Sequence, residues 1–184
     1  MQRIARSRSL CTQAIIALAV LTRFIPHLPD FSPVYGALLF GGAHLDRRRS
    51  VVFPLILLGA SDFTLARFVY QMHFGWLELV QLGAFASIVV VGWSLRRGVT
   101  IARLTFAVLT GPTAFYLLSN LGVWLGWQAY ARSWEGLIAC YVAAIPFYGY
   151  SLASTCVFGG ALFGIDEFLL ARRQHHQTAE APTA

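Results

Sequence analysis

The sequence contains no lysine, and charged residues make up only 12% of its 184 residues. A soluble globular domain carries roughly 25% charged residues, so this chain has too little polar surface to cover a water-facing molecule. Hydrophobic residues account for 57% of the chain, and its mean hydropathy is +0.62. These proportions predict an integral membrane protein whose main partner is the lipid bilayer.

Sequence motifs of catalysis are also missing. The chain has no HExxH, GxSxG or P-loop motif, and no pair of acids at a fixed helical spacing. Its cysteines lie within apolar runs and its histidines in loops or the tail, without the spacing of metal ligands. We therefore predict no enzymatic activity, no cofactor and no metal site. Any ATP-driven work would need a partner protein.

The basic residues are all arginines, and they cluster between apolar segments. This is the positive-inside pattern of a membrane protein rather than a basic stripe, so we predict no nucleic-acid partner. The clusters precede the first apolar segment and follow the second, fourth and sixth, whereas tryptophans and tyrosines gather at the opposite ends. Together these patterns predict six passes through the membrane, with both termini in the cytoplasm.

Six apolar segments predict an all-α, polytopic membrane bundle of six helices. They cover residues 10–25, 33–45, 51–68, 77–95, 101–125 and 136–165. The second is short for a membrane span of roughly 20 residues, so we expect it to be short, tilted or re-entrant. We predict a basic cytoplasmic N-terminus over 1–9, the transmembrane domain over 10–170 and a disordered cytoplasmic tail over 171–184.

Small residues that recur every four positions mark helix faces that can pack closely in lipid. The sixth segment carries two such rows, which are Ser151, Thr155 and Gly159, and Cys156, Gly160 and Gly164. A helix-packing role is the expected one for both rows.

Polar side chains inside the segments gather near the end that lies away from the arginine clusters. An ionisable side chain at mid-membrane costs about 2.5–3.5 kcal/mol on insertion scales, so each needs a reason. Asp62 and Asn120 lie too deep to reach the headgroups, and we expect a binding pocket around them. Arg23 and Arg67 lie near headgroup level, where helix-locking ion pairs and snorkelling explain them as well as a binding role does. Asp62 lies too far around its helix to pair with Arg67, so we expect a partner on another helix, in particular Arg23.

The candidate binding site combines these groups with the loop over residues 26–33. It comprises Arg23, Asp30, Asp62, Arg67, Asn120, Trp124 and Tyr141. Asp62 and Asn120 would orient the ligand by hydrogen bonds, and Arg23 would pair with Asp62 or receive a ligand carboxylate. The proline-stiffened loop would act as a lid with Asp30 at its tip. Trp124 and Tyr141 favour a ring-bearing ligand.

Several motifs, taken together, resemble one family. They are Arg23-Phe24, PDFSPV (29–34), ALLFGGA (37–43), Ser61-Asp62, SNLGVW (119–124) and GLIACYVAAIPF (136–147). The chain resembles uncharacterised bacterial membrane proteins of domain of unknown function family 6580, described as candidate transport proteins. These are similar to the substrate-binding S components of energy-coupling-factor transporters. The chain departs from the family at Asp30, where members often carry Asn, and at Thr155, where they carry Asp.

The resemblance implies six helices in a bacterial inner membrane, a ligand site near the outer face and uptake of a small, vitamin-like solute. In S components, a separate transmembrane coupling subunit and paired ATPases drive the uptake. Ala14, Ala17 and Ala19 approximate the Ala-x-x-x-Ala motif at which the coupling subunit docks. The alternative is a structural or assembly membrane protein whose polar residues only lock the helices together.

Overall fold

The computed structural model describes residues 2–26, 28–69, 71 and 75–179, with the side chains of residues 8–172 in those ranges. Within them all regular secondary structure is helical, which confirms the predicted all-α class. The helices are α1 (Gln2–Leu21), α2 (Val34–His44), α3 (Arg47–Thr64), α4 (Trp76–Gly92), α5 (Ile101–Gly126), α6 (Trp134–Ser154) and α7 (Gly160–Ala179).

Short helical turns extend or join these elements. A 3-10 turn, Thr22–Phe24, follows α1, and another, Trp93–Arg97, follows α4. A π-helical turn, Leu65–Val69, extends α3, and a second, Thr155–Gly159, joins α6 to α7 in one continuous helix. The described chain therefore has six helices, as predicted. Four of them are long and apolar enough to cross a membrane, namely Arg47–Val69, Trp76–Arg97, Ile101–Gly126 and Trp134–Arg172.

Both ends of the chain are more helical than the sequence indicates. α1 already begins at Gln2, within the stretch assigned to the N-terminal region. The sequence predicts a disordered tail from residue 171, but α7 continues to Ala179 as an extension of the last membrane helix. Residues 180–184 lie outside the described part of the chain.

The second helix, α2, is the centre of the bundle. It is only 11 residues long, which confirms the prediction of a short second helix, and every residue from Val34 to Gly42 is buried. It contacts each of the other helices. A helix that is apolar all round, as α2 is, needs packed neighbours or lipid around it, and here neighbours bury it from Val34 to Gly42.

Glycines set how closely the other helices approach α2. A Cβ atom at Gly36 would lie 2.6 Å from the backbone nitrogen of Gly159, and one at Gly92 would lie 2.5 Å from the carbonyl oxygen of Leu39. The backbones of α2, α4 and the second π-helical turn therefore touch without side chains between them.

Only one of the two predicted rows of small residues packs inside the chain. Ser151, Thr155 and Gly159 are buried, and Gly159 faces Gly36. In the other row, Cys156 is exposed, and a Cβ at Gly160 or Gly164 would meet no described atom within 4 Å. The packing role predicted for that second row is wrong for the described chain.

One end of the bundle carries most of the arginines, and we call it the arginine-rich end. There Arg96 closes the last turn of α2: its Nε donates to the carbonyl of Gly42 at 2.8 Å and its Nη2 to that of Leu45 at 2.5 Å. Gly42 lies in the last turn of α2 and Leu45 follows the helix, so both carbonyls lack a partner within the helix. Arg96 thus ties the turn after α4 to α2.

A second tie at the arginine-rich end joins three helices. His44 of α2 contacts the carbonyl of Phe40 through Nδ1 and Asp166 Oδ2 of α7 through Nε2, both at 3.0 Å. Arg8 of α1 lies 3.0 Å from the same Asp166 oxygen. The polar groups at this end therefore fasten α1 and α7 to the central helix.

Candidate functional site

Arg23 is the centre of the polar contacts at the opposite end of the bundle. It lies in the turn after α1; its Nη1 donates to Ser61 Oγ at 2.6 Å, and its Nη2 lies 2.5 Å from Asp62 Oδ1. The guanidinium is also 5.8 Å from the centre of the Phe85 ring, within cation–π range. The predicted pairing of Arg23 with Asp62 is confirmed, and it joins α1 to α3.

Asp62 uses only one of its two carboxylate oxygens. Oδ1 pairs with Arg23, whereas Oδ2 is buried and has no hydrogen-bond partner among the described residues. The whole residue is only 9% exposed, so bulk solvent does not supply that partner. Buried polar atoms are hydrogen-bonded in the great majority of cases. The free oxygen therefore marks a place for a ligand group or an ordered water.

A cavity of about 260 Å³ opens beside this carboxylate. We call it the acidic cavity, and it is lined by Arg23, Asp62, Leu65, Ala66, Leu77, Glu78 and Gln81. Its walls come from the end of α3, the start of α4 and the turn after α1. Two of the lining residues belong to the first π-helical turn, a kind of helix irregularity that is frequent at functional sites.

The lining of the acidic cavity carries more negative than positive charge. Asp62 and Glu78 contribute two carboxylates, and Arg23 contributes one guanidinium that is already engaged by Ser61 and Asp62. Glu78 accepts a hydrogen bond from the backbone of Gly75 through Oε2, which holds it at the first turn of α4. The cavity therefore favours a cationic group over an anionic one.

Asp30 lies across an aromatic cluster from Arg23 and does not line the cavity. Tyr35 donates from its hydroxyl to Asp30 Oδ1 at 3.2 Å, and the Tyr35 ring packs on Phe85 and Phe115. Asp30 has a φ of 57°, in the region that favours glycine, and its carbonyl accepts from Ser154 Oγ at 3.4 Å. These contacts tie the loop to α2 and α6, and its action as a lid stays a prediction.

Three other predicted site residues lie together at the seam between α5 and α6. Asn120 Nδ2 donates to the carbonyl of Tyr116 in its own helix, and Trp124 Nε1 donates to that of Ala131. The Tyr141 hydroxyl donates to the carbonyl of Leu117 at 2.7 Å. None of the three lines the acidic cavity; the Tyr141 bond joins α6 to α5 and the Trp124 bond joins α5 to the connecting loop, whereas the Asn120 bond lies within α5.

Arg67 is the remaining predicted site residue, and the structure does not bring it to the cavity. It lies in the first π-helical turn but is exposed, with no ion pair or hydrogen bond to a described residue. An exposed arginine at the end of a membrane helix fits the headgroup-level role that was its alternative.

Glu78 and Gln81 are cavity residues that the sequence prediction left out. They stand three apart at the start of α4 and therefore share one face of that helix. Two polar residues three positions apart, near the start of an otherwise apolar helix, are the sequence signal that could have placed both in the lining of one cavity.

A comparison with protein families finds a match over nearly the whole chain. A family model described as a family of unknown function, DUF6580, matches residues 3–179 of the chain. No curated protein and no solved structure matches the chain.

Proposed function

The chain belongs to DUF6580, a family of unknown function, and from the residues of its candidate site we propose that it is the substrate-binding subunit of a small-solute uptake system. Its resemblance to S components of energy-coupling-factor transporters supports this proposal. In such a system a transmembrane coupling subunit and ATPases act in trans. The lack of a P-loop motif in the sequence agrees with an energy source outside this chain.

The observation that carries the proposal is the free Asp62 oxygen at the acidic cavity. A buried carboxylate oxygen without a partner is costly in an apolar surrounding, and an ammonium group would satisfy both its charge and its hydrogen bond. Because Arg23 is already paired, a ligand carboxylate would have to break an existing ion pair to bind there. The solute we propose is therefore a small cation, such as an amine, rather than an acid.

The proposed orientation places the arginine-rich end in the cytoplasm of a bacterial cell and the acidic cavity at the outer face. We expect proteins fused after Arg49, Arg97 and Arg173 to lie in the cytoplasm. A reporter that works only in the cytoplasm should therefore give a signal at all three junctions, and one that works only in the periplasm should give none. A periplasmic signal at any of the three junctions would contradict the proposed orientation.

Removing one charge from the acidic cavity is expected to weaken solute binding. The melting temperature of the purified protein in detergent would be measured with putrescine and agmatine, and with carboxylates of similar size. We expect an amine to raise the melting temperature. Glu78→Gln should weaken its binding about tenfold, about 1.4 kcal/mol, because the amide keeps the bond to Gly75 but loses the charge.

Glu135→Gln is the matched control, since Glu135 is also an acid in the first turn of a membrane helix but is exposed and lies outside the cavity. It should leave the binding unchanged. If no amine changes the melting temperature, or if both variants act alike, the proposal fails. The tie of Arg23 to Ser61 and Asp62 would then favour the second candidate, a structural or assembly protein.

A further inference from the structure

A second cavity, of about 560 Å³, lies at the arginine-rich end. We call it the arginine cavity, and it is lined by Arg47, Trp93, Ser94, Arg97, Ala102, Arg103 and Phe106. It lies between the start of α3, the turn after α4 and the start of α5. The acidic cavity shares none of these residues, so the two cavities are separate sites.

The charge of the arginine cavity is of one sign. Three arginines line it and no acid does. Asp46, which precedes Arg47 in the chain, is already engaged: it accepts from the backbone of Arg49 and pairs with its side chain. The cavity therefore holds an excess of positive charge that an anion would neutralise.

The guanidinium groups of this cavity have hydrogen-bond donors that no described residue uses. Arg103 donates from Nη1 to the carbonyl of Gly98 at 3.1 Å, while Arg97 is exposed and has no described partner. Arg47 lies 5.3 Å from the centre of the Trp93 ring, and Arg96, which caps α2, lies 5.6 Å from it. Each guanidinium has five N–H donors in a fork that matches phosphate oxygens.

A buried hydroxyl is a further, independent indication of an anion site. Ser94 lines the cavity, and its Oγ is buried with no hydrogen-bond partner among the described residues. A hydroxyl left unpaired at a basic cavity is a donor for an anionic oxygen. The combination of arginines and a free hydroxyl is typical of phosphate recognition.

The rim of the arginine cavity is apolar. Phe106 lines it with 57% of its surface exposed, and Ile101, which precedes the lining residue Ala102 in the chain, is 88% exposed. In a membrane helix such side chains face lipid tails, next to a charged cavity at headgroup depth. A ligand that fits both parts has a phosphate headgroup and an acyl chain.

We propose that the arginine cavity binds the phosphate of an anionic phospholipid in the leaflet at the arginine-rich end, with the acyl chains against Phe106. Arg47, Arg97 and Arg103 neutralise the phosphate, and Ser94 donates a hydrogen bond to it. The site is independent of solute binding at the acidic cavity, so either proposal can fail without the other.

Native mass spectrometry of the purified full chain tests the site, with phosphatidylglycerol and phosphatidylcholine of the same acyl chains as probes. We expect phosphatidylglycerol to bind at least about fivefold more tightly, and Arg97→Gln to weaken its binding about fivefold, the effect of one basic residue near a membrane surface. Equal binding of the two lipids would overturn the proposal.

Arg48→Gln is the matched control, because Arg48 is an exposed arginine adjacent to Arg47 but does not line the cavity. It should change phosphatidylglycerol binding less than about twofold, because it lies outside the lining. If Arg48→Gln and Arg97→Gln weaken binding equally, the attraction is a diffuse field and not a site. Both variants remove one exposed charge, so a difference in folding does not confuse the comparison.

Two further measurements separate the parts of the proposal. Ser94→Ala should weaken phosphatidylglycerol binding without lowering the melting temperature of the lipid-free protein, because the hydroxyl has no partner to lose. Unchanged lipid binding would overturn the role of Ser94. Inorganic phosphate alone should not displace the lipid; complete displacement would show a site for a free anion and overturn the lipid assignment.

Discussion

Replacing Arg23 with leucine is expected to destabilise the protein by about 3–5 kcal/mol, the cost of leaving one partner of a buried ion pair uncompensated. Arg23 is 18% exposed and Asp62 10% exposed at the side chain, so neither charge can recover its full hydration when the other is removed. The change also takes a hydrogen bond from Ser61. Chemical or thermal unfolding of the purified protein in detergent would measure the loss.

The double variant Arg23→Leu/Asp62→Leu completes the test. Removing both charges should recover much of the stability, because replacing a buried ion pair by apolar side chains is often neutral or stabilising. Arg67→Leu is the control for loss of an arginine at the same end, and we expect a change within about 0.5 kcal/mol because Arg67 is exposed. A single Arg23→Leu variant as stable as Arg67→Leu would show that the pair contributes nothing to the fold.

Replacing Gly92 with alanine is expected to destabilise the bundle by about 1–3 kcal/mol, the usual cost of overpacking. The added Cβ would lie 2.5 Å from the Leu39 carbonyl oxygen and 3.1 Å from its Cα. Because both are backbone atoms of α2, no side chain can swing away, and the two helices must separate. The melting temperature in detergent should fall accordingly.

Gly83→Ala is the matched control on the same helix. A Cβ at Gly83 meets no described atom within 4 Å, so the change should be neutral or stabilising by up to about 1 kcal/mol through helix propensity. The same chemical change in one helix is thus expected to act with opposite signs at two positions. Equal melting temperatures for the two variants would show that the contact of α2 with α4 is looser than the structure indicates.

The sequence predicts the number and order of the helices well because each helix contains one apolar run and the arginine clusters separate several of those runs. It also identifies the pairing of Arg23 with Asp62, since a deep acid needs a cation from another helix. The sequence predicts the two ends of the chain less well. The tail after residue 171 reads as polar, yet α7 runs on to Ala179 because a long helix already leads into it.

The candidate site is only partly predictable, for a geometric reason. Hydropathy and arginine placement give the depth of a residue along the bundle axis, but not the side of the bundle on which it lies. Asn120, Trp124 and Tyr141 share their depth with Asp62 in the predicted topology, yet they lie at the α5–α6 seam. Placing them requires the order of helices around α2, which depends on contacts such as that of Gly36 with Gly159.

The central position of α2 has a consequence for biosynthesis. At about 1.5 Å per residue, its 11 residues span about 16 Å, roughly half of a 30 Å hydrocarbon layer. Such a segment cannot remain in lipid alone as an independently inserted helix. Gly159, which packs against Gly36 of α2, is synthesised more than a hundred residues later than that glycine. The core of the molecule is therefore among the first parts to leave the ribosome and among the last to be enclosed, so nascent chains need protection around α2 until translation is nearly complete.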